Sequence, residues 1–303
     1  MKHLYEYIFE SQDLADELID LYKSNFDKLS RHSRVHLLTR GNLIKLFPKK
    51  KLVTVLKSNA DTLSNVIKLF NTDIDKLIED YVLIGYKAKG RKKDIGELFK
   101  SVNSSYKKFL GIITILEMTY TFQRVKLLDM IDIDSIDNII SKNKELIKDC
   151  IHNDKYNFRK NASTKYINSL YFIYNLKDTL NSLNNIVDDN IYDDAIEYFI
   201  ELYENTPNET TIYGITHILI GTSDFYQKQI SSKYNKLVAL LEKLTYDSLF
   251  KKLTLDLQIE VLLCCKLFGK TVDIDLSNKI SKSDLDKNEH TNMLYILLNK
   301  YEI

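Results

Sequence analysis

The chain has 303 residues, of which 44% are hydrophobic and 28% are charged, and its formal net charge is +1. A chain of this length and composition buries a core without staples, which argues against wholesale disorder. It contains only 2 prolines and 8 glycines. Because these residues break helices and supply tight turns, their scarcity excludes a hairpin-rich β fold and predicts an all-α protein.

Features that report on the cellular compartment point to the cytoplasm. The three cysteines, Cys150, Cys264 and Cys265, are odd in number and lack metal-type spacing. The first ten residues lack the basic and apolar regions of a signal peptide. The longest stretch without Asp, Glu, Lys or Arg covers 14 residues, from Thr210 to Ser223, and a bilayer span needs about 20 apolar residues. We therefore expect a cytoplasmic protein without a transmembrane segment.

The N-terminal part of the chain shows apolar residues at steps of three and four, as in Leu14, Leu18 and Leu21, which predicts helices. Residues 30–47 resemble two short helices around Gly41, a weak helix-turn-helix pattern. Pro48 is expected to end the second of them near Phe47, because its ring excludes helical geometry from the preceding residue.

The charge of this region is strongly one-sided. The basic strip, from Lys28 to Lys57, holds nine Lys and Arg residues and no acidic residue. Clustered cations attract phosphate and other anions, so the strip predicts an anionic partner. The residues expected to bind that anion are Arg40, Lys49, Lys50 and Lys51.

A second basic run follows the glycine-punctuated loop at residues 85–90, with Lys87, Lys89, Arg91, Lys92 and Lys93. By contrast, residues 178–227 carry ten acidic residues and no Lys or Arg. The alternative interpretation is therefore that basic and acidic regions face each other within the fold or across a homo-oligomer. Zinc-finger, homeodomain and RNA-recognition patterns are missing from the sequence.

The least periodic segment covers residues 152–164 and is polar and prone to turns. It predicts a boundary between an N-terminal basic helical region, residues 1–155, and a C-terminal array of helical hairpins, residues 160–303. Pro207 marks a further break inside the second region. Six apolar helices are predicted there, at residues 166–183, 192–204, 212–227, 234–244, 255–268 and 285–301.

Short connections between these helices favour antiparallel hairpins stacked side by side, as an open array or a closed α/α toroid. The prediction depends on helix succession alone, since no tetratricopeptide, ankyrin or armadillo signature is present.

Three polar residues interrupt or open these apolar helices: His217, Glu260 and His290. Histidine and carboxylate are the ingredients of acid–base catalysis, so these are the candidate catalytic residues. A carboxylate surrounded by aliphatic residues must be paired or shift its pKa. On helical spacing, His217 shares a face with Tyr213, Gly221 and Asp224, and the two glycines of this helix, Gly214 and Gly221, allow close approach of a neighbour.

Five further residues are predicted to bind a ligand beside this trio, and they are Tyr213, Thr216, Asp224, Asp256 and Asn292. The alternatives are hydrogen bonding of His217 within the core, with His290 decorating a helix start, and a bound metal. The spacings match no short metal motif, so no metal ligand is assigned, and the cofactor is unknown.

Three functions are open at this point. The leading hypothesis is a binding or scaffold protein for a protein, peptide or acidic partner. The second is an α/α-toroid enzyme or ligand-binding protein with a pocket around His217, Glu260 and His290. The third is a nucleic-acid-associated protein that uses the basic strip. Side chains of the trio more than ~10 Å apart would exclude the second, because shared chemistry needs hydrogen-bond reach.

Overall fold

A computed structural model describes residues 2–83, 103–153, 159, 163–187 and 191–302, and of these the side chains outside 2–13, 163, 191 and 192. Most of the described residues lie in α-helices, which are joined by loops, short 3₁₀ turns and a π-helical segment at Ile78–Val82, and the described residues contain no β-strand. The predicted all-α class is confirmed. Within the described residues, no helix is long and apolar enough to cross a membrane.

Thirteen α-helices lie in the described residues. They are α1 (Lys2–Asn25), α2 (Arg31–Gly41), α3 (Lys49–Thr72), α4 (Ile74–Leu77), α5 (Ser104–Arg124), α6 (Ile133–Lys142), α7 (Lys144–His152), α8 (Ser163–Leu176), α9 (Ile191–Asn205), α10 (Glu209–Thr222), α11 (Asn235–Thr245), α12 (Leu255–Leu267) and α13 (Glu289–Lys300).

Local sequence explains where several helices begin. The side chains of Ser30, Asn103 and Asn208 each accept a hydrogen bond from the backbone N–H three residues later, which satisfies a donor that the first turn leaves open. The break predicted at Pro207 is confirmed, because this residue lies between α9 and α10.

The region around Pro48 differs from the prediction. After α2 comes one 3₁₀ turn, Asn42–Ile44, and α3 begins at Lys49. The prediction of a second short helix that ends near Phe47 is therefore wrong, and so is the prediction of a helix-turn-helix within residues 30–47. Proline has no N–H to donate, and it is tolerated where a helix begins. Here Pro48 precedes a helix, and its carbonyl accepts from the N–H of Lys51 at 2.9 Å.

The chain divides into two compact units. The first unit combines both ends of the chain, residues 1–55 and 195–303, and the second unit is residues 56–194. The boundary predicted between residues 155 and 160 lies next to segments outside the described residues and stays a prediction. Helices α7 and α8, on either side of it, both belong to the second unit.

Helix α12 is the central helix of the first unit. It packs against α10, α11 and α13, and α13 also contacts α1 and α2. Every residue of α12 from Leu257 to Cys265 is buried, as expected for a helix that is apolar on all sides. The helix predicted at residues 255–268 is confirmed. The hairpin-array and toroid arrangements stay predictions.

Close packing of α10 in this unit depends on a glycine. A Cβ placed on Gly214 would lie 2.1 Å from Cε1 of Phe199, a fully buried residue of α9. Such a distance is far below van der Waals contact, so only glycine permits this approach. The small residue noted in the sequence is therefore used for helix packing.

The second unit has its own core around α5, which contacts α4, α6, α7 and α8. Phe109, Ile112 and Phe122 of α5 are fully buried. The hydroxyls of Tyr120 and Tyr171 lie 2.9 Å apart and form a hydrogen bond between α5 and α8. This core is thus almost wholly apolar.

Candidate functional site

Three helices of the first unit bring His217, Glu260 and His290 together. Nε2 of His217, on α10, lies 3.8 Å from Oε2 of Glu260 on α12. Nε2 of His290, on α13, lies 3.7 Å from the other carboxylate oxygen, Oε1. These are ion-pair distances, slightly longer than hydrogen bonds. The two imidazoles therefore lie beside different oxygens of the same carboxylate. We call His217, Glu260 and His290 the carboxylate–imidazole trio.

Glu260 is buried, with its side chain 2% exposed. The Thr216 hydroxyl lies 3.1 Å from its Oε2, as a hydrogen-bond donor. Burial opposes ionisation, but the charge of His217, the hydrogen bond from His290 and the charge of Arg40 outweigh it, so the pKa of Glu260 lies below its ordinary value. The site therefore contains an ionised carboxylate at neutral pH.

His290 has the opposite tendency. Burial and the nearby charge of Arg40 lower its pKa below the ordinary value, although Glu260 opposes the shift. Nη1 of Arg40 lies 3.3 Å from Nδ1 of His290. Because a guanidinium only donates, Nδ1 is the acceptor and the ring hydrogen lies on Nε2, toward Glu260. His290 is thus a neutral imidazole with one defined tautomer.

A hydrogen-bonded pair of a tyrosine and a carboxylate lies next to the trio. The Tyr213 hydroxyl donates to Oδ2 of Asp256 at 2.7 Å and lies 3.2 Å from Oγ1 of Thr254. The ring centroids of Tyr213 and His217 are 6.4 Å apart. Burial and the charge of Asp256 raise the pKa of Tyr213, so this hydroxyl stays protonated. Tyr213, Thr216 and Asp256 therefore lie next to the trio, and their roles toward a ligand stay predictions.

Residues that the sequence did not connect to the trio lie against it. Nδ1 of His36, on α2, is 2.9 Å and 2.7 Å from the two carboxylate oxygens of Glu289. The His36 ring centroid is 5.2 Å from that of His290. Burial raises the pKa of Glu289 to about 8, with Arg40 opposing and Asp286 reinforcing the shift. The His36–Glu289 pair thus holds a proton near neutral pH.

Glu260 and Glu289 are equally buried, yet their pKa values move in opposite directions. The difference lies in their neighbours, since Glu260 faces two imidazoles and Arg40, whereas the cationic neighbours of Glu289 are opposed by Asp286. Two acids with separated pKa values in one site are a common arrangement for acid–base chemistry.

A spacing in the sequence was available to find the α2 residues. His32, His36 and Arg40 follow one another at four-residue steps and so lie on one face of α2. The His32 and His36 rings stack with centroids 6.2 Å apart. What the spacing does not reveal is that this face packs against α13.

Arg40 is held on its second side by Tyr226, whose ring lies 5.5 Å below the guanidinium carbon. Tyr226 is fully buried and ends a run of three residues with positive φ, namely Asp224 at 56°, Phe225 at 52° and Tyr226 at 72°. Such a run is strained for residues other than glycine. Ser223 supports it, because its Oγ accepts from the N–H of Tyr226 at 3.0 Å.

This turn corrects the placement of Asp224. Helix α10 ends at Thr222, so the helical spacing that put Asp224 on the face of His217 does not extend to it. The helix predicted to reach Gln227 is accordingly too long. The Asp224 carboxylate lies 3.5 Å from Nζ of Lys228. Its predicted role in ligand binding stays a prediction.

Asn292 is fixed by structural hydrogen bonds. Its side-chain N–H groups donate to the Tyr22 hydroxyl at 3.1 Å and to the Ser281 carbonyl at 3.0 Å, and the residue is 1% exposed. It therefore connects α13 to α1. Its predicted contact with a ligand stays a prediction.

The basic strip is only partly neutralised within the described residues. Lys51 lies 4.0 Å from Asp27, while Lys49 and Lys50 are exposed and form no ion pair there. Asp286 also contacts the strip, because its Oδ1 accepts a hydrogen bond from the backbone N–H of Ser30 at 2.7 Å. The second basic run, residues 87–93, and its loop lie outside the described residues, and the anionic partner stays a prediction.

Among the described residues, no group of three or more His, Cys, Asp or Glu side chains is arranged to hold a metal ion. Cys150, Cys264 and Cys265 are buried. Burial raises the pKa of Cys265 to about 12 and also raises that of Cys264. Both therefore remain protonated and pack as small apolar residues.

Comparison with known proteins found no matching protein family, no matching curated protein and no matching solved structure.

Proposed function

We propose that the first unit is a small-molecule centre, ligand-binding and capable of acid–base chemistry, built on the carboxylate–imidazole trio and Arg40. The observation that carries the proposal is the ionised, buried Glu260 within 3.8 Å of two imidazoles from two other helices. The distances are far below the ~10 Å beyond which the three side chains share no chemistry.

Stability alone is a poor explanation for this arrangement. Desolvating a charged pair costs free energy that the attraction often fails to recover, so apolar residues would hold the helices together equally well. Groups whose pKa values are shifted by burial together with a specific partner cluster at functional sites. The His290 side chain is 38% exposed while Glu260 is 2% exposed, so part of the imidazole meets solvent although most of it is buried, and the carboxylate does not.

The hydrogen bond from Arg40 defines how the centre acts. Protonation of His290 at Nδ1 requires Arg40 to release that nitrogen. A ligand oxygen that accepts from the guanidinium therefore frees Nδ1, which then takes a proton from the ligand. Glu260, next to Nε2 on the far side of the ring, stabilises the imidazolium that forms. The ligand class is a small molecule that joins an anionic or carbonyl oxygen to a transferable proton.

Affinity selection with mass spectrometry tests the proposal. The purified protein is incubated with a defined mixture of carboxylates, phosphate esters and carbonyl compounds, and retained compounds are compared among variants. Wild type is expected to retain at least one compound that His290→Gln and Glu260→Gln lose. Glu242→Gln is the matched control, since Glu242 pairs with Lys270 at 3.2 Å in the same unit, away from the trio. Equal retention by all four proteins contradicts the proposal.

The other two hypotheses, a scaffold for a protein or peptide and a nucleic-acid-associated protein, stay predictions. The same holds for the homo-oligomer inferred from the charge asymmetry. Each of these hypotheses requires the detection of a bound partner. The small-molecule centre is instead supported by the geometry of side chains within the described residues.

A further inference from the structure

A concave region of about 400 Å³ lies elsewhere in the first unit, between the end of α1, α2 and the first turn of α3. Its charged wall consists of Arg34, Lys50 and Lys51, and Phe26 and Pro48 contribute an apolar wall. We call it the Arg34 cavity. None of its lining residues belongs to the carboxylate–imidazole trio or its neighbours.

The apolar wall is built on an aromatic pair. Phe26 is 2% exposed, and its ring centroid lies 4.9 Å from that of Phe47. Nζ of Lys51 lies 3.9 Å from the centroid of the Phe26 ring. A lysine at this distance from a ring is held by cation–π attraction, so the ammonium group is fixed at the cavity wall.

The cavity has more positive charge than its own acidic residue neutralises. Asp27 is the single acidic residue in its wall, and its side chain is 87% exposed and 4.0 Å from Lys51. A pair this open to water neutralises little. Lys50 is exposed and has no ion pair among the described residues, so the net field in the cavity is positive.

Arg34 provides an independent sign of a ligand. Its Nε is buried and has no hydrogen-bond partner among the residues that the structure describes. Buried donors on a cation are costly to leave open, and nearly all have an acceptor. Arg34 is also a lining residue of the cavity, so an anion bound there would lie beside a guanidinium whose hydrogen bonding is incomplete.

We propose that the Arg34 cavity binds a small organic anion, a phosphate or carboxylate group attached to an apolar body. The anionic group accepts from Arg34 and Lys50, and the apolar body lies against Pro48 and Val55. Small-molecule sites commonly have volumes of about 300–1,000 Å³ and use few polar groups on mainly apolar walls, and the open Arg34 cavity has a volume of about 400 Å³ in that range. A nucleic-acid surface differs, because it spreads cations along an open face.

Isothermal titration calorimetry of the whole chain with four probes tests the proposal. The probes are phenyl phosphate and benzoate, which combine both features, inorganic phosphate, which lacks the apolar body, and benzyl alcohol, which lacks the charge. We expect phenyl phosphate or benzoate to bind more tightly than either single-feature probe. Whichever anion binds better identifies the anionic group.

Two substitutions locate the binding. Lys50→Gln and Arg34→Gln are each expected to weaken the tighter probe by roughly tenfold or more, the loss of one charge-assisted hydrogen bond. Lys49→Gln is the matched control, because Lys49 is the adjacent exposed lysine and does not line the cavity. Lys50 is exposed, so its variant tests the proposal even where Arg34→Gln fails to fold. Binding that is unchanged in Glu260→Gln shows that the two sites are separate.

Three results overturn the proposal. The first is no heat of binding for phenyl phosphate and benzoate. The second is an equal loss in Lys49→Gln and Lys50→Gln, which indicates non-specific attraction to the basic strip. The third is binding of single-stranded DNA with no binding of either small anion, which assigns the cations to a polyanion.

Discussion

The two units of the chain bury polar groups in different ways. In the described part of the second unit, the buried polar residues are Thr119 and Ser169. Each hydroxyl donates to the carbonyl four residues earlier in its own helix. In the first unit, the buried polar residues include the carboxylates Glu260 and Glu289, whose partners lie on other helices.

The two kinds of buried polar group differ in what they require from the fold. A hydroxyl bonded within its own helix is satisfied without any other element. A buried carboxylate needs partners that only the tertiary fold supplies, and it holds them in fixed geometry. The first unit therefore carries the groups suited to chemistry, and the second unit serves as an internal reference for the substitutions below.

The largest effect is expected from Glu260→Ala. Removing this carboxylate leaves Thr216 and two imidazoles around a cavity, and breaking a buried pair costs about 3–5 kcal/mol. Thr119→Ala in the second unit should cost about 1 kcal/mol. Urea unfolding followed by far-ultraviolet circular dichroism measures both. Equal losses for the two variants would show that Glu260 is no more than an ordinary buried polar residue.

Thr216→Val and Thr119→Val compare one hydroxyl in each unit without a change of volume. The Thr216 hydroxyl lies 3.1 Å from two acceptors, Oε2 of Glu260 and the Tyr213 carbonyl of its own helix, and a hydrogen bond to the charged acceptor contributes about 1.5–3 kcal/mol. Thr119 donates to a backbone carbonyl of its own helix, so its replacement should cost under about 1 kcal/mol. The account is contradicted when Thr216→Val unfolds at the same urea concentration as wild type.

Gly214→Ala and Gly111→Ala test packing in the two units. A Cβ on Gly214 lies 2.1 Å from the Phe199 ring, whereas one on Gly111 lies 3.1 Å from the nearest atom of Phe70. Overpacking at Gly214 should cost about 1–3 kcal/mol. At Gly111 the gain in helix propensity, about 1 kcal/mol, offsets a milder contact. Thermal unfolding in which Gly111→Ala is the less stable variant would reverse this ranking.

The last comparison concerns the pH dependence of stability and uses Glu289→Gln. The pKa of Glu289 is raised from 4.5 to about 8, so between these values the folded chain keeps a proton that the unfolded chain has lost. Its contribution to stability is complete below pH 4.5 and decreases as the pH rises toward about 8. The groups facing Glu289 are His36, Arg40 and Asp286.

Glu289→Gln removes this titration, so the free energy of unfolding should depend less steeply on pH across that window. The second unit offers the control, since Asp137→Asn replaces a carboxylate that accepts from Ser182. Urea unfolding at several pH values gives both slopes. An unchanged slope in Glu289→Gln would contradict the raised pKa.

The sequence predicted the all-α class, the helices that carry the trio and the three residues of the trio. The trio could be found because its residues are polar positions in apolar helices. His217 and Glu260 each interrupt an apolar helix, so a polar residue in the wrong place was visible without any tertiary information. His290 opens the last described helix, next to a second buried acid.

The partners of the trio were beyond the reach of sequence. Arg40 contacts His290 across 250 residues of chain, and no local period reports such a distance. Tyr226 lies under Arg40 because three residues in a row adopt positive φ, a conformation that the residues Asp, Phe and Tyr do not favour. The helix-turn-helix prediction was wrong because Pro48 precedes a helix instead of ending one. Proline occurs at both kinds of helix boundary, so the residue alone does not show which of the two it marks.

The central claim is that Glu260 is an ionised carboxylate between His217 and His290, with His290 neutral and its hydrogen on Nε2. Nuclear magnetic resonance of the imidazole nitrogens during a pH titration measures this directly, in wild type and in Glu260→Gln. We predict that His290 titrates below its ordinary value of 6.5, in the Nε2–H tautomer, and that Glu260→Gln lowers its pKa further because the stabilising charge is gone. A His290 that titrates near 6.5 and does not respond to Glu260→Gln would contradict the claim.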